Sequence, residues 1–384
     1  MAVPPDALRQ LLCDLVAIDS VNPSLVPGAA GERGIARRLT DEMRALGLEV
    51  QVTEVAPGRP NVVGVLRGRA PGRALMLCGH TDTVGVAGMA RPFEPDVRNG
   101  RVYGRGSQDM KGGVAAMLGA ARNLVEAGGL EAGQLIVAAV VDEEHSSIGA
   151  EALVRTWRAD AAVVTEPTGL DVAIAHKGFQ WVAVETHGRA AHGSRPLDGR
   201  DAILRMGRVL TGLEALDRAL HAGRSHPLLG TASLHASLIH GGQELSSYPD
   251  RAWLEFERRT LPGEPASVAV DELDRIIQQL RAADPEFEAE RRAMLSRDGY
   301  EIDRTSSLPT ELTQAARDAG ATPGTVGMTF WTDAAILAAA GIPAAIFGPG
   351  GAGLHSTEEY VILEDVHTCC AALTALARQA TRPR

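Results

Sequence analysis

Leu75-Met76-Leu77-Cys78-Gly79-His80-Thr81-Asp82 decides the fold, because an apolar run ends there on an imidazole and a carboxylate. Three further stretches repeat the arrangement. Leu135-Ile136-Val137-Ala138-Ala139-Val140-Val141 leads into Asp142-Glu143-Glu144, and Ala161-Ala162-Val163-Val164 into Thr165-Glu166-Pro167. Pro343-Ala344-Ala345-Ile346-Phe347 passes through Gly348-Pro349-Gly350-Gly351-Ala352-Gly353 to His355. Continuous apolar runs of roughly four to eight residues read as strands buried on both faces. Helical patterns separate them, at 5–18, 31–46, from Gly112-Gly113 to about 127, 147–157, 308–318, 332–340 and 363–379. Strands are also expected at 48–54 and 61–66. Such alternation implies an α/β fold with a mostly parallel sheet and helices on both faces. Ligands of such sheets bind outside the carboxyl ends of the strands, where these acidic and histidine residues fall.

With 384 residues the chain has room for two domains. The pattern changes after His176-Lys177-Gly178. Phe179 to Thr186 alternates as a half-exposed strand would, and a helix at 199–219, strands at 231–239 and 251–259, a helix at 266–282 and a strand at 287–294 follow. That order is the split-βαβ plan of a small α+β domain. From about Ser296 the helix–strand alternation resumes. The expected division is therefore 1–177 with 296–384, and an inserted domain at 178–295.

A net charge of −10 argues against nucleic-acid or anionic-membrane partners. No run approaches the length of about 18 apolar residues that a membrane span needs, and Met1 to Leu12 lacks an apolar leader. Cys13, Cys78, Cys369 and Cys370 show no Cys-x-x-Cys spacing and read as reduced, buried thiols. A cytoplasmic location is the expectation.

Carboxylates and imidazoles gathered at one sheet edge are the oxygen and nitrogen donors that divalent metals take. His80 and Asp82, two apart at a strand end, point to one side, so one can ligate while the other orients it. A structural hydrogen-bonded pair fits the same two residues. Asp109, in Gly104-Arg105-Gly106-Ser107-Gln108-Asp109-Met110-Lys111-Gly112-Gly113, reads alone as a helix N-cap. No Gly-Lys-Ser/Thr ending supports a phosphate loop there. Adjacent Glu143 and Glu144 repel each other unless a cation or proton compensates. One can bind a metal while the other serves as general base. Glu166 and His355 are unremarkable singly, but together these residues suffice for two ions sharing Asp109.

The segments Gly79-His80-Thr81-Asp82-Thr83, Gly104-Arg105-Gly106-x-x-Asp109-Met110-Lys111-Gly112-Gly113, Asp142-Glu143-Glu144, Thr165-Glu166-Pro167 and His355-Ser356 resemble, in order and over essentially the whole chain, a family of zinc-dependent amidohydrolases and metallopeptidases. Acetylornithine deacetylase, succinyl-diaminopimelate desuccinylase, aminoacylase-1 and glutamate carboxypeptidase belong to it. The resemblance implies a zinc-peptidase-like catalytic domain with an inserted lid and dimerisation domain. It implies two divalent ions, zinc with cobalt or manganese as alternatives, bridged by Asp109. His80 and Glu166 would complete one site, Glu144 and His355 the other, with Glu143 as general base and Asp82 orienting His80. In the inserted domain, His192 of Gly188-Arg189-Ala190-Ala191-His192-Gly193-Ser194 would help stabilise an oxyanion, and Arg259 would anchor a substrate carboxylate. Ser246 departs from the family pattern, which has asparagine three residues before the proline that is Pro249 here. Serine offers no amide donor. Gly351, in the glycine run before His355, leaves the substrate loop without an evident reading side chain.

The implied reaction is hydrolysis of the amide of an N-acyl amino acid or related N-acyl amine by a homodimeric enzyme. A carboxypeptidase or dipeptidase would use the same groups on a short peptide. A catalytically silent metal-binding scaffold could dispense with Glu143, and a nucleotide-binding protein would need a Gly-x-Gly-x-x-Gly after its first strand, which is absent.

Overall fold

The computed structural model describes residues 5–86 and 88–382. Two compact units emerge, one of Met1–Ile174, Ile302–Val326 and Thr332–Arg384, the other of Ala175–Glu301 and Gly327–Trp331. Met1 to Pro4, part of the segment read as lacking a leader, lie outside the described residues. No described helix is long and apolar enough to cross a membrane.

The first unit is built on a mixed sheet. Four neighbouring strands are mutually parallel, in the order Ala132–Val140, Ala70–His80, Ala161–Val164 and Ala344–Ile346. The apolar runs at their centres are buried, as two-sided coverage requires. Antiparallel strands flank them. Glu49–Ala56 and Arg59–Arg67 form a hairpin, because the Pro57-Gly58 link is too short for a parallel crossover. Val172–His176, which the apolar pattern did not single out, runs antiparallel to Ala344–Ile346. A second small sheet of Gly351–Ala352, Tyr360–Ile362, Arg101–Tyr103 and Asp96–Arg98 also escaped the sequence, its strands being two or three residues long. Helices Gly112–Glu126 and Leu363–Ala380 pack on each other and on the Ala70–His80 strand.

Because the central strands are parallel, their carboxyl ends share one edge. His80 closes its strand; Asp142 to Glu144 follow Val140; Glu166 follows Val164; and the loop after Ile346 leads to His355. Gly113 makes the approach of the next element possible. A Cβ on it would stand 2.0 Å from the Thr165 carbonyl oxygen, so the start of the Gly112–Glu126 helix can press against this strand end only without a side chain.

The second unit is a four-stranded antiparallel sheet ordered Ser233–Gly241, Arg251–Thr260, Gly178–His187, Glu288–Arg297, with helices Ala202–Ala222 and Val268–Ala283. This is the strand order of the split-βαβ plan. The Gly178–His187 strand is mostly buried rather than half-exposed. It lies inside the sheet, and Val182 and Val184 join Met206, Val209, Leu254, Phe256, Leu273 and Ile277 in the core. Cys78, Cys369 and Cys370 are buried free thiols, and Cys13 is half-buried.

The Gly113 contact generates a stability test. Gly113→Ala should lower the unfolding free energy by about 1–3 kcal/mol, the usual cost of overpacking. Urea denaturation giving an unchanged midpoint would contradict the close approach.

Candidate metal centre

Asp109 stands at the centre of the strand-end cluster. One carboxylate oxygen lies 3.0 Å from His80 Nε2, and the other 3.2 Å from His355 Nε2. His355 Nε2 also lies 3.1 Å from a Glu144 oxygen, and His80 Nε2 3.7 Å from a Glu166 oxygen. One donor atom each from His80, Asp109 and Glu144 fall within 4.8 Å of one another, as do one each from His80, Glu143 and Glu166. The structure thus brings His80, Asp109, Glu143, Glu144, Glu166 and His355 together. Glu143 stands close enough for either a ligand or a proton-transfer role.

Local backbone explains these positions. His80 Nδ1 is 2.9 Å from the backbone carbonyl of Asp82 and 3.7 Å from its carboxylate, so the carbonyl is the nearer orienting group. The Asp82 carboxylate instead accepts the amides of Glu143 (3.1 Å) and Glu144 (3.2 Å) and the Asn22 side-chain NH2 (2.8 Å). It fixes the turn that presents the paired glutamates. Asp142 starts that turn in the left-handed region, φ 69°, which suits Asp better than most residues. Its buried carboxylate is held by Arg59 (2.7 Å), Asn22 (3.1 Å) and Ser146 (2.6 Å), and Arg59 also pairs with buried Glu32.

Asp109 is no helix N-cap. Lys111 occupies that position with no side-chain capping bond, and Ser107 to Lys111 form an irregular turn in which Asp109 takes φ −115°, ψ 94°. Its carboxylate is thereby released toward the histidines. The turn is held by Glu359, a residue without a signal in the apolar pattern. Its buried carboxylate accepts the amides of Gly106, Gln108 and Asp109 and a guanidinium bond from Arg105. Arg105, Asn22, Arg59 and Glu32 were likewise not singled out. The one available hint was Arg105 between two glycines, Gly104 and Gly106, both at positive φ.

Charge density dominates the chemistry. Burial, together with Glu166, pushes Glu143 well above the usual carboxylate range. Burial and Asp109 raise Glu144 to about 7. Burial and neighbouring carboxylates raise Glu166 strongly as well. Burial alone would lower His80, but Glu166 and Asp109 outweigh it and hold the ring protonated. Hydrogen bonds to Asp109 and Glu144 take His355 to about 10. The two histidines in turn hold Asp109 low against its burial. In the bare chain these protons do what a cation would do. The donors fit divalent ions, since all are oxygen or imidazole nitrogen. Glu144 Oε1, moreover, is buried with no hydrogen-bond partner among the described residues.

In the second unit, His192 is exposed on a two-residue strand paired with Ser247–Tyr248, and Gly193 N–H donates to the Ser246 carbonyl at 2.7 Å. His192 and Ser246 are thus neighbours. His192 Nδ1 lies 2.8 Å from the Ser194 hydroxyl and 3.2 Å from the Ser194 amide, so that side of the ring is engaged locally. The Ser246 hydroxyl lies 3.3 Å from Glu244. Arg259 stands on the Arg251–Thr260 strand, 2.6 Å from Glu257, with its guanidinium 5.6 Å from the Phe179 ring centre. Gly351, in the first unit, pairs with Val361; a Cβ there would sit 2.1 Å from the Tyr360 carbonyl oxygen. The close strand pairing accounts for that glycine.

Over residues 76–379 the sequence matches the profile of Peptidase family M20/M25/M40. The chain belongs to this family. Members are typically dinuclear metal-binding hydrolases, which agrees with the donor cluster. Within similar proteins, an acetylornithine deacetylase from Myxococcus xanthus is 33% identical over 381 residues, covering 96% of each chain. An N-formyl-4-amino-5-aminomethyl-2-methylpyrimidine deformylase from Bacillus subtilis is 28% identical over 380 residues, covering 88% of this chain and 87% of its own. A tripeptidase from Staphylococcus aureus shares the fold with a TM-score of 0.84 at 22% identity, covering 99% of each chain. The M20 chain described here is accordingly a hydrolase.

Protons and metal should compete at this centre. Glu144 is raised from 4.5 to about 7 in the metal-free fold, so between those values the folded chain holds more protons than the unfolded one. Metal-free stability then falls as pH rises through that window, and a bound cation recovers it. The thermal-midpoint gain on adding zinc should therefore grow from about pH 5 to pH 7.5, read by scanning calorimetry. A gain independent of pH would show that the carboxylates do not exchange protons for metal.

Proposed function

We propose that the chain hydrolyses the amide bond of N-acyl amino acids or related N-acyl amines, using two divalent ions, zinc with cobalt or manganese as substitutes. The observation that carries this reading is the Asp109 carboxylate, whose two oxygens face different histidines, His80 at 3.0 Å and His355 at 3.2 Å. One carboxylate divided between two imidazoles is the arrangement of a bridging ligand. His80 and Glu166 would complete one site, and Glu144 and His355 the other. Bound ions would polarise the scissile carbonyl and lower the pKa of the attacking water.

Glu143 is the general base in this reading. Its raised proton affinity suits a group that takes a proton from water and returns it to the leaving amine. Asp82 serves through its backbone carbonyl on His80 and through its carboxylate on the turn of Glu143 and Glu144. His192 offers an imidazole N–H for the oxyanion, and Arg259 a guanidinium for the substrate carboxylate. Ser246 and Gly351 would contribute backbone and small surfaces to substrate binding. The second unit would act as lid and dimer surface; its edge strand Ser233–Gly241 exposes Leu238 and Ile239, which favours pairing with a second copy. Dipeptides or carboxypeptidase substrates are the second reading, and Arg259 suits them equally, since a free carboxylate is common to both substrate classes.

A hydrolysis screen of zinc-, cobalt- and manganese-loaded protein against N-acetyl, N-formyl and N-succinyl amino acids and dipeptides tests the proposal. Turnover of the acyl amino acids above the dipeptides is the expected result; the reverse order would favour the peptidase, and no turnover of any would favour a silent scaffold. Glu143→Gln should retain metal and lower kcat by at least about 10²-fold, whereas Asp109→Ala should lose both ions by elemental analysis. Metal loss in Glu143→Gln with retention in Glu144→Gln would reverse the assignment of the pair. His192→Ala should lower kcat roughly 10²–10³-fold with metal content unchanged. Near-wild-type turnover of that variant would remove His192 from the reaction.

A further inference from the structure

His355 differs from the other metal-ligand candidates in how it is held. His80 closes a buried strand and its ring rests on the Asp82 carbonyl. Glu144 and Glu166 follow buried strands, and the Glu144 amide is bound by Asp82. His355 instead sits on a loop, at φ 58°, with its side chain 53% exposed. A ligand so placed needs something else to fix its distance from Asp109.

The Glu359–Arg105 pair supplies it. Glu359 and Arg105 are both buried, at 1% and 2% exposure, on the two loops that carry His355 and Asp109. One Glu359 oxygen accepts the amides of Gln108 (2.9 Å) and Asp109 (3.1 Å). The other accepts the Gly106 amide (3.0 Å) and Arg105 Nη1 (2.7 Å). Arg105 reaches the opposite way, with Nη2 donating to the Ser356 carbonyl (2.9 Å) and Nε to the Gly85 carbonyl (3.2 Å). The Gly104 amide adds a bond to the Glu359 carbonyl at 3.1 Å. Each loop is thus tied to the other by charge-assisted bonds, the kind that are short and directional. The bonds land on the amide of Asp109 itself and on the carbonyl of Ser356, the neighbour of His355.

We propose that Glu359 and Arg105 form a clasp that sets the separation of Asp109 and His355, and so controls the affinity of the ion on the His355 side in particular. Both are positioning residues and touch neither substrate nor metal. The inference rests on the two-ion reading above. It also explains why a buried carboxylate is placed so close to an already acidic centre: only an acceptor-only group can bind three amides and a guanidinium at once. Glutamine in its place would turn an NH2 either toward both the Gly106 amide and the Arg105 guanidinium or toward the amides of Gln108 and Asp109, donor against donor.

The test is a calorimetric titration of metal-free protein with zinc, comparing wild type, His355→Ala, Glu359→Gln and Arg105→Lys. His355→Ala identifies the binding step that belongs to its side. Glu359→Gln should weaken that same step by about 10–100-fold, the usual loss when a residue supporting a ligand is changed, with little change in the other. Arg105→Lys keeps the charge and the amide contacts of Glu359 but loses the fork to Ser356 and Gly85, and should weaken the same step by less. If Glu359→Gln fails to fold by circular dichroism, Arg105→Lys decides. Both steps unchanged, both weakened alike, or only the other step weakened would each overturn the clasp. A wild-type chain taking up fewer than two ions would instead overturn the two-ion reading, and the selectivity of the clasp with it.

Discussion

The carboxylates of Asp109, Glu143, Glu144 and Glu166 converge on His80 and His355 at the shared carboxyl end of parallel strands, and most of the local structure follows from the repulsion this creates. In a buried setting such charges are tolerable only when protons or cations balance them. Without metal the histidines hold their protons and the glutamates are driven toward theirs. The centre is therefore built for a state in which cations replace those protons, and its geometry has to persist while the charges are exchanged.

Persistence comes from groups outside the donor cluster. Asp82 binds the amides of both paired glutamates, Asp142 is held by Arg59 and Asn22, and Glu359 collects the amides around Asp109. Asp82 and Glu359 organise backbone N–H groups, Asp142 gathers side-chain donors, and a buried arginine compensates the charge of Asp142 and of Glu359. These are costly groups to bury unless every bond is made.

The second unit contributes a different kind of chemistry. Its main core cluster is apolar and its sheet antiparallel, with register shifts at Ala236/Leu238 and Ala293/Leu295, while His192, Ser246 and Arg259 lie at the surface or half-buried. The contacts of His192 Nδ1 with the Ser194 hydroxyl and amide hold one side of the ring locally. Under the proposed reading, substitutions here would change substrate choice more than metal binding.

Periodicity alone carried the α/β class, the buried runs ending at His80, Glu143–Glu144 and Glu166, and the split-βαβ pattern of the second unit. Short apolar runs rich in β-branched residues suit a strand covered on both faces, and the ligand crevice of such a sheet lies at the carboxyl ends where the acidic residues follow. The roles of Glu143, His192 and Arg259 entered through likeness to known hydrolases, because a single carboxylate or imidazole in sequence does not reveal its neighbours. Tertiary structure decided the rest. Asp109 looked like a helix cap and instead directs its carboxylate to two histidines, since its turn is held from outside by Glu359. Phe179 to Thr186 alternates like a half-exposed strand and is mostly buried by neighbours far away in the chain. Glu359, Arg59 and Glu32 carry no local pattern, and Arg105 only its flanking glycines, for a buried ion pair is defined by two partners whose separation in sequence is unrelated to their separation in space.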